Sequence, residues 1–200
     1  MKKERLLEIR KMMENFRCIK KEPRNGPSSF IQILVQACTL QNAKTILREQ
    51  VLKNGHDGSA VIIVPITQEG KIILAIEPRV FTKETVGIGF PAGYIEEGEK
   101  TWESAKRELL EETGYQAQEL HYMTSFYQDE GCSSAYNTIY IATGCQKIKD
   151  QHLDQDEYIR YIECSLEEVY ELEKLGLIGG GNAKLALRYL EKIKVKERVK

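Results

Sequence analysis

The chain has 200 residues, 42% of them hydrophobic, and a formal net charge of −1. This length suits one domain with a small appendage and is enough to bury a substantial core. The balanced charge leaves no electrostatic footprint for nucleic acid or an anionic membrane, and no apolar run approaches the roughly 20 residues of a membrane span. The basic start lacks the apolar segment and cleavage site of a secretory signal. Five cysteines, Cys18, Cys38, Cys132, Cys145 and Cys164, are odd in number and show no paired spacing. They point to a reducing cytoplasm, with neither a disulfide framework nor a zinc site.

Residues 2–16 place Leu6, Leu7, Ile9, Met12, Met13 and Phe16 mostly on one side of a helix. A basic amphipathic helix can serve a partner groove or a membrane surface, but the interspersed acidic residues favour packing on its own domain. Pro23 to Ser29 reads as a loop. Residues 30–40 and 45–53 are strand-like around a Gln41-Asn42 turn, and Asn54 to Gly58 is another loop. Within it, His56 between two glycines reads as a turn residue rather than a ligand. SAVIIVPIT and KIILAIEPR form a predicted hairpin through Gln68-Glu69-Gly70. The glycines of VGIGFPAG then suit close approach of backbone to a phosphate or metal.

Next comes GYIEEGEKTWESAKRELLEETGY, residues 93–115. Thr101 is the expected N-cap and Gly114 the expected left-handed stop of a helix. Trp102, Ala105, Leu109 and Leu110 share an arc that should face the core. Glu108, Glu111 and Glu112 share another arc, so their carboxylates crowd together, two of them in the last turn, where the helix dipole disfavours negative charge. Such a cluster is either a solvated acidic face or a site for a cation. Carboxylate oxygens are what Mg²⁺ or Mn²⁺ prefer.

Beyond it, residues 119–128 and YNTIYIATG read as strands around the loop Asp129 to Ala135. A polar, acidic stretch from Lys147 to Glu157 precedes the strand YIRYIEC. Ser165 with Glu168 is a capping box opening a helix. Gly179-Gly180-Gly181 is a break, Asn182 the expected N-cap of a terminal helix, and no internal repeat is evident.

The stretch 93–115 resembles the Nudix box, G-x5-E-x7-R-E-U-x-E-E-x-G-U with U bulky and apolar, and every fixed glycine and polar position is filled. Tyr115 at the last U is aromatic rather than aliphatic. The resemblance implies an α/β fold, the Nudix-type α/β/α sandwich with a mixed sheet, here with a strand-rich N-terminal extension. The implied division is 1–55, a helix and strand-rich dimerisation extension, and 56–200, the hydrolase domain. It also implies a Mg²⁺-dependent diphosphate hydrolase, Mn²⁺ being a possible substitute. Glu108 and Glu112 are then the main metal ligands, with Glu111 shared between ligand and base roles and the carbonyl of Ala92 a further ligand. Arg107 would orient a glutamate, Glu99 would brace the loop to the helix, and Gly93 would let the chain turn beside the substrate.

Outside the box, the chain resembles the ADP-ribose pyrophosphatase and nucleotide-sugar hydrolase branch of that family. TILREQVLKNGHDGSAV makes Arg48 and Glu49 candidate substrate contacts, and LAIEPR places Arg79 as a diphosphate or sugar ligand. The extension implies a homodimer. The expected substrate is ADP-ribose or a related nucleoside diphosphate sugar. The alternatives are a hydrolase of another nucleoside diphosphate derivative and a non-catalytic ligand-sensing module, though every box carboxylate is retained and no basic recognition domain is present. One departure concerns the loop after the box, where Glu130 stands at the branch's proline and Ala135 at its catalytic glutamate. Glu111 is then the first candidate for the base and Glu130 the second.

Overall fold

A computed structural model describes residues 1–23 and 30–198, with side chains to residue 191. The loop expected over Pro23 to Ser29 therefore lies almost wholly outside the described residues. Helix α1 (Lys3–Glu14) comes first, followed by the strands β1 (Ile31–Thr39) and β2 (Thr45–Lys53). β3 (Ala60–Thr67), β4 (Ile72–Pro78), β5 (Val86–Gly89) and β6 (Ala92–Tyr94) lead into helix α2 (Thr101–Thr113). β7 (Tyr115–Gln116), β8 (Glu119–Tyr127), β9 (Tyr136–Lys147) and β10 (Arg160–Cys164) follow. The helices α3 (Leu166–Lys174) and α4 (Gly181–Arg198) complete the order.

The main sheet runs β10-β4-β3-β9-β7, with β5 on β4, β6 on β3 and β8 on β9. It is mixed: β3 and β9 lie parallel at its centre, and the other described pairings are antiparallel. Alternation along β3 and β4 divides the core. Ile62, Val64, Ile72, Leu74 and Ile76 face α1, α3 and α4, packing with Ile9, Met13, Val169, Leu172 and Leu187. Val61, Ile63 and Ile73 face the other way and pack with Ala105 and Leu109 of α2. Helices thus cover both faces, as expected of an α/β/α sandwich. Most of the amphipathic stripe of α1 is part of the core, with Ile9 fully buried, but Leu7 is exposed.

β1 and β2 pair only with each other among the described strands. Their apolar side chains stand in the open: Ile33, Val35 and Leu47 are 61%, 67% and 68% exposed. The hairpin is tied to the body by Val51 N–H donating to the Cys132 carbonyl (2.8 Å) and by Gln50 Nε2 donating to Ser134 Oγ (3.0 Å).

Three local expectations change. Lys100, not Thr101, is the N-cap of α2, and its N–H donates to Glu103 (3.0 Å). Thr101 is already helical, and its hydroxyl is engaged with the Tyr140 hydroxyl (2.6 Å). Trp102 is 42% exposed rather than buried, and the ammonium groups of Lys100 and Lys106 lie over its ring. At the other end, α4 begins at Gly181, so Asn182 lies within it.

Candidate active site

Helix α2 carries the site. Its stop is Gly114, left-handed at φ 76°, where a side chain would run into the Lys149 carbonyl. Donors from the loop 148–159 meet the last carbonyls of the helix. Ile148 N–H donates to Gly114 O (2.9 Å), His152 N–H to Glu111 O (2.9 Å) and Gln151 Nε2 to Glu112 O. They supply positive dipole ends where the helix end is negative and where two of the carboxylates sit.

Arg107 is the hub of the box. Its Nε and Nη2 grip the Glu99 carboxylate in a two-pronged pair (3.0 and 2.9 Å), fixing the loop before the helix. Nη1 donates to Glu108 Oε1 (2.6 Å) and Glu111 Oε2 (3.2 Å), while Nη2 also reaches the Tyr94 carbonyl (3.0 Å). The Arg107 hydrogen bonds are the main reason Glu99 titrates below the usual carboxylate range.

Glu108 and Glu112 are 6% and 4% exposed, so they do not form a solvated acidic face. Burial pushes the Glu108 carboxyl up to about 7, against the opposing pull of Arg107. Glu112 is driven well above its ordinary value by burial, then by the charges of Glu108 and Glu77. Its Oε2 accepts the Ala92 N–H (3.2 Å). At Gly93, directly before Tyr94, a Cβ would fall inside the Glu108 carboxylate. Only glycine lets the backbone come this close.

Among the described residues, no three carboxylate, imidazole or thiol groups converge closely enough to enclose an ion. Arg107 Nη1 holds one oxygen each of Glu108 and Glu111. The donor chemistry nevertheless fits a hard divalent cation. The donors are oxygen alone, two carboxylates are buried side by side, and one guanidinium serves Glu99, Glu108 and Glu111 together.

The other sequence-predicted residues are more scattered. Arg79 is 56% exposed and paired with Glu77 beside the site. Arg48 and Glu49 are exposed on β2. Glu130 is exposed on a loop that is folded on itself, with Ser133 N–H donating to Asp129 O (2.8 Å) and Gln128 N–H to Ala135 O (3.1 Å). Ala135 is buried.

Two carboxylates missed by sequence reasoning act on the site. Glu77, on β4, is held above its usual range by burial, partly offset by Arg79. Glu157, at the end of the loop 148–159, adds its charge to Glu77, Glu108 and Glu112 alike. An acidic residue closing an otherwise apolar strand was the available signal for Glu77. Glu157 gave none beyond its place in an acidic stretch.

Comparison with known proteins gives the same picture. The NUDIX domain family model matches residues 56–183. The chain is 33% identical over 162 residues to an ADP-ribose pyrophosphatase of Bacillus subtilis (strain 168), covering 80% of this chain and 85% of that protein. It is 32% identical over 162 residues to a methanol dehydrogenase activator of Bacillus methanolicus, with the same coverage. A crystal structure of an ADP compounds hydrolase superposes with a TM-score of 0.72 at 22% identity, covering 86% of this chain and 91% of that one.

Proposed function

The chain belongs to the Nudix family and is a hydrolase, and from that premise we propose that it cleaves ADP-ribose or a related nucleoside diphosphate sugar. Water adds to one phosphorus while the bridging oxygen leaves with the other, giving a nucleoside monophosphate and a sugar phosphate. The observation that carries this reading is the pair of buried, under-neutralised carboxylates, Glu108 and Glu112, on the helix that Arg107 locks in place. The ADP-ribose pyrophosphatase relative supports the substrate class.

Glu108, Glu112 and Glu111 would hold Mg²⁺ or Mn²⁺, with the Ala92 carbonyl as a further donor. A divalent cation bound there would polarise the diphosphate and acidify the attacking water. Arg107 orients Glu108 and Glu111, Glu99 fixes the loop that carries Gly93, and Arg79 is available to the diphosphate oxygens. The proton acceptor is better placed at Glu157 than at Glu111 or Glu130. Arg107 ties Glu111 and Glu130 lies on the self-bonded loop; Glu157 Oε2 also accepts the Asp154 N–H of its own turn (3.1 Å), but its charge bears on Glu108 and Glu112. At saturating Mg²⁺, Glu157→Gln is expected to lower kcat by roughly a hundredfold or more, the low end of a general base's contribution. Glu130→Gln should stay close to wild type. The reverse order in a steady-state comparison would return the role to Glu130.

A panel of nucleoside diphosphate sugars with Mg²⁺, products separated by chromatography, tests the activity. Expected are AMP and ribose phosphate from ADP-ribose, and no turnover in EDTA. Turnover of nucleoside triphosphates alone would defeat the substrate assignment.

We also propose a homodimer built partly from residues 30–53, supported by the exposed apolar side chains of a hairpin that stands apart from the main sheet. Arg48 and Glu49 would contact substrate across that interface. Sedimentation at micromolar concentration should show a dimer, and Val35→Glu should shift it toward monomer. A wild-type monomer under these conditions would rule the arrangement out. The five unpaired thiols suit a reducing, cytoplasmic setting.

A further inference from the structure

The connection between β4 and β5, residues 79–85, has Arg79 at one end and a backbone outlier at the other. Thr85 stands at φ 57°, in the left-handed region that a β-branched residue rarely enters. Such a conformation persists where the surroundings over-determine it. Across the connection, the backbone N–H of Arg79 donates to the Thr85 carbonyl (2.9 Å). From outside it, the Cys18 N–H donates to Thr85 Oγ1 (3.0 Å), and that hydroxyl donates back to the Cys18 carbonyl (3.5 Å).

Cys18 belongs to the segment that runs on from α1, and this segment is itself anchored. Phe16 is buried in the core, and its ring lies against that of Tyr158 with centroids 4.6 Å apart. From that base Arg17 reaches the same connection. Its Nη1 donates to the Glu84 carbonyl (3.1 Å) and to Glu84 Oε2 (3.0 Å), while its Nε donates to Glu14 (2.9 Å). Lys21 Nζ donates to the Val80 carbonyl (2.8 Å). Residues 17–21 thus hold the connection at both ends, at Val80 and at Glu84-Thr85.

Arg79, next to Val80, sends its side chain across the neighbouring strand. Gly87 supplies the room, since a Cβ there would fall 2.9 Å from Arg79 Cγ. The guanidinium then meets Glu77 through Nη2 and stays half exposed, with donors left for an anionic partner.

We propose that Arg17 is a positioning residue for the reaction. Together with the Cys18 backbone it fixes the 79–85 connection and so presents Arg79 to the diphosphate oxygens. This rests on the reading of Arg79 as a diphosphate contact. The competing role for Arg17 is an exposed ion pair with Glu84, which would add little to stability and nothing to binding.

Steady-state kinetics on ADP-ribose with Mg²⁺, run beside hydrogen exchange over residues 80–85, separates the two. Arg79→Ala is expected to raise KM by about tenfold or more, through loss of a charge-assisted hydrogen bond. Arg17→Ala should raise KM by roughly threefold or more, with a smaller change in kcat. Partial unfolding would instead lower kcat by removing active protein and leave KM alone. Arg17→Lys keeps a donor for the Glu84 carbonyl and should recover part of the loss. With both Arg17→Ala and Arg79→Ala, KM should be no higher than in Arg79→Ala alone, because the first residue acts through the second. Exchange over residues 80–85 should be faster in Arg17→Ala, whatever the substrate. A wild-type KM in Arg17→Ala, unchanged exchange, or additive effects in the double variant would each overturn the proposal. If Arg79→Ala itself leaves KM unchanged, the reading of Arg79 fails first, and the proposal falls with it.

Discussion

Glu108→Gln is expected to reduce kcat at saturating Mg²⁺ by roughly a thousandfold while leaving the fold intact. A divalent cation held there would supply several kcal/mol of transition-state stabilisation, at about 1.4 kcal/mol per tenfold in rate. Glu108 is nearly buried and lies against the Gly93 backbone, so no other side chain can replace its oxygens there. The amide of glutamine has the same shape and can still accept from Arg107, so packing should be unchanged. Stopped-time product assays, together with near-ultraviolet circular dichroism, check both halves. Wild-type rates in the variant, or in EDTA, would remove Glu108 from the mechanism.

The same residue makes the metal-free protein sensitive to pH. Its carboxyl titrates at about 7 in the folded chain against an ordinary value of 4.5. The sign follows from the raised folded value. The stabilisation is complete below about 4.5, where both states hold the proton, and is lost as pH rises through about 7. The loss amounts to about 3 kcal/mol, or roughly 6–12 °C in Tm for a chain of this size. In EDTA at pH 8, Glu108→Gln should therefore melt higher than wild type by about that amount. Near pH 4.5 the gap should close. Scanning calorimetry at the two pH values decides it, and a gap independent of pH would show that Glu108 ionises normally. Added Mg²⁺ should stabilise wild type and not the variant.

Much of this centre was legible because its parts lie within one short stretch of chain. Gly114 marked the helix end, and the spacing of Arg107, Glu108, Glu111 and Glu112 set their common neighbourhood. Burial of Glu108 and Glu112 was not legible, because helical spacing gives an acidic arc without saying what covers it. Trp102 shows the opposite failure: a large apolar residue on the expected arc stays outside, stacked against lysine ammoniums. Glu77 and Glu157 reach the centre from a distant strand and loop, and only the sheet order brings them there. The strands of the hairpin were visible in residues 30–53, and their place in an extension outside the hydrolase domain came from the family resemblance, but the exposure of their apolar side chains did not. An exposed Val35 and a buried Val64 look alike in a sequence.

The parallel pairing of β3 with β9 has a consequence for how the protein is made. These strands form the middle of the sheet, yet all of β4 to β8 is translated between them. At about 5–20 residues per second, a ribosome needs roughly 4–15 s to go from one to the other. During that interval β3 gains β4 and then β6 as they emerge but lacks β9 to the end of it, leaving one of its long edges unpaired. Helix α2, with its acidic cluster, emerges inside the same window and can cover only one face of the unfinished sheet. The nascent chain is therefore most vulnerable to edge-to-edge association between synthesis of Thr67 and of Lys147, and a chaperone acting on it would have its greatest effect there.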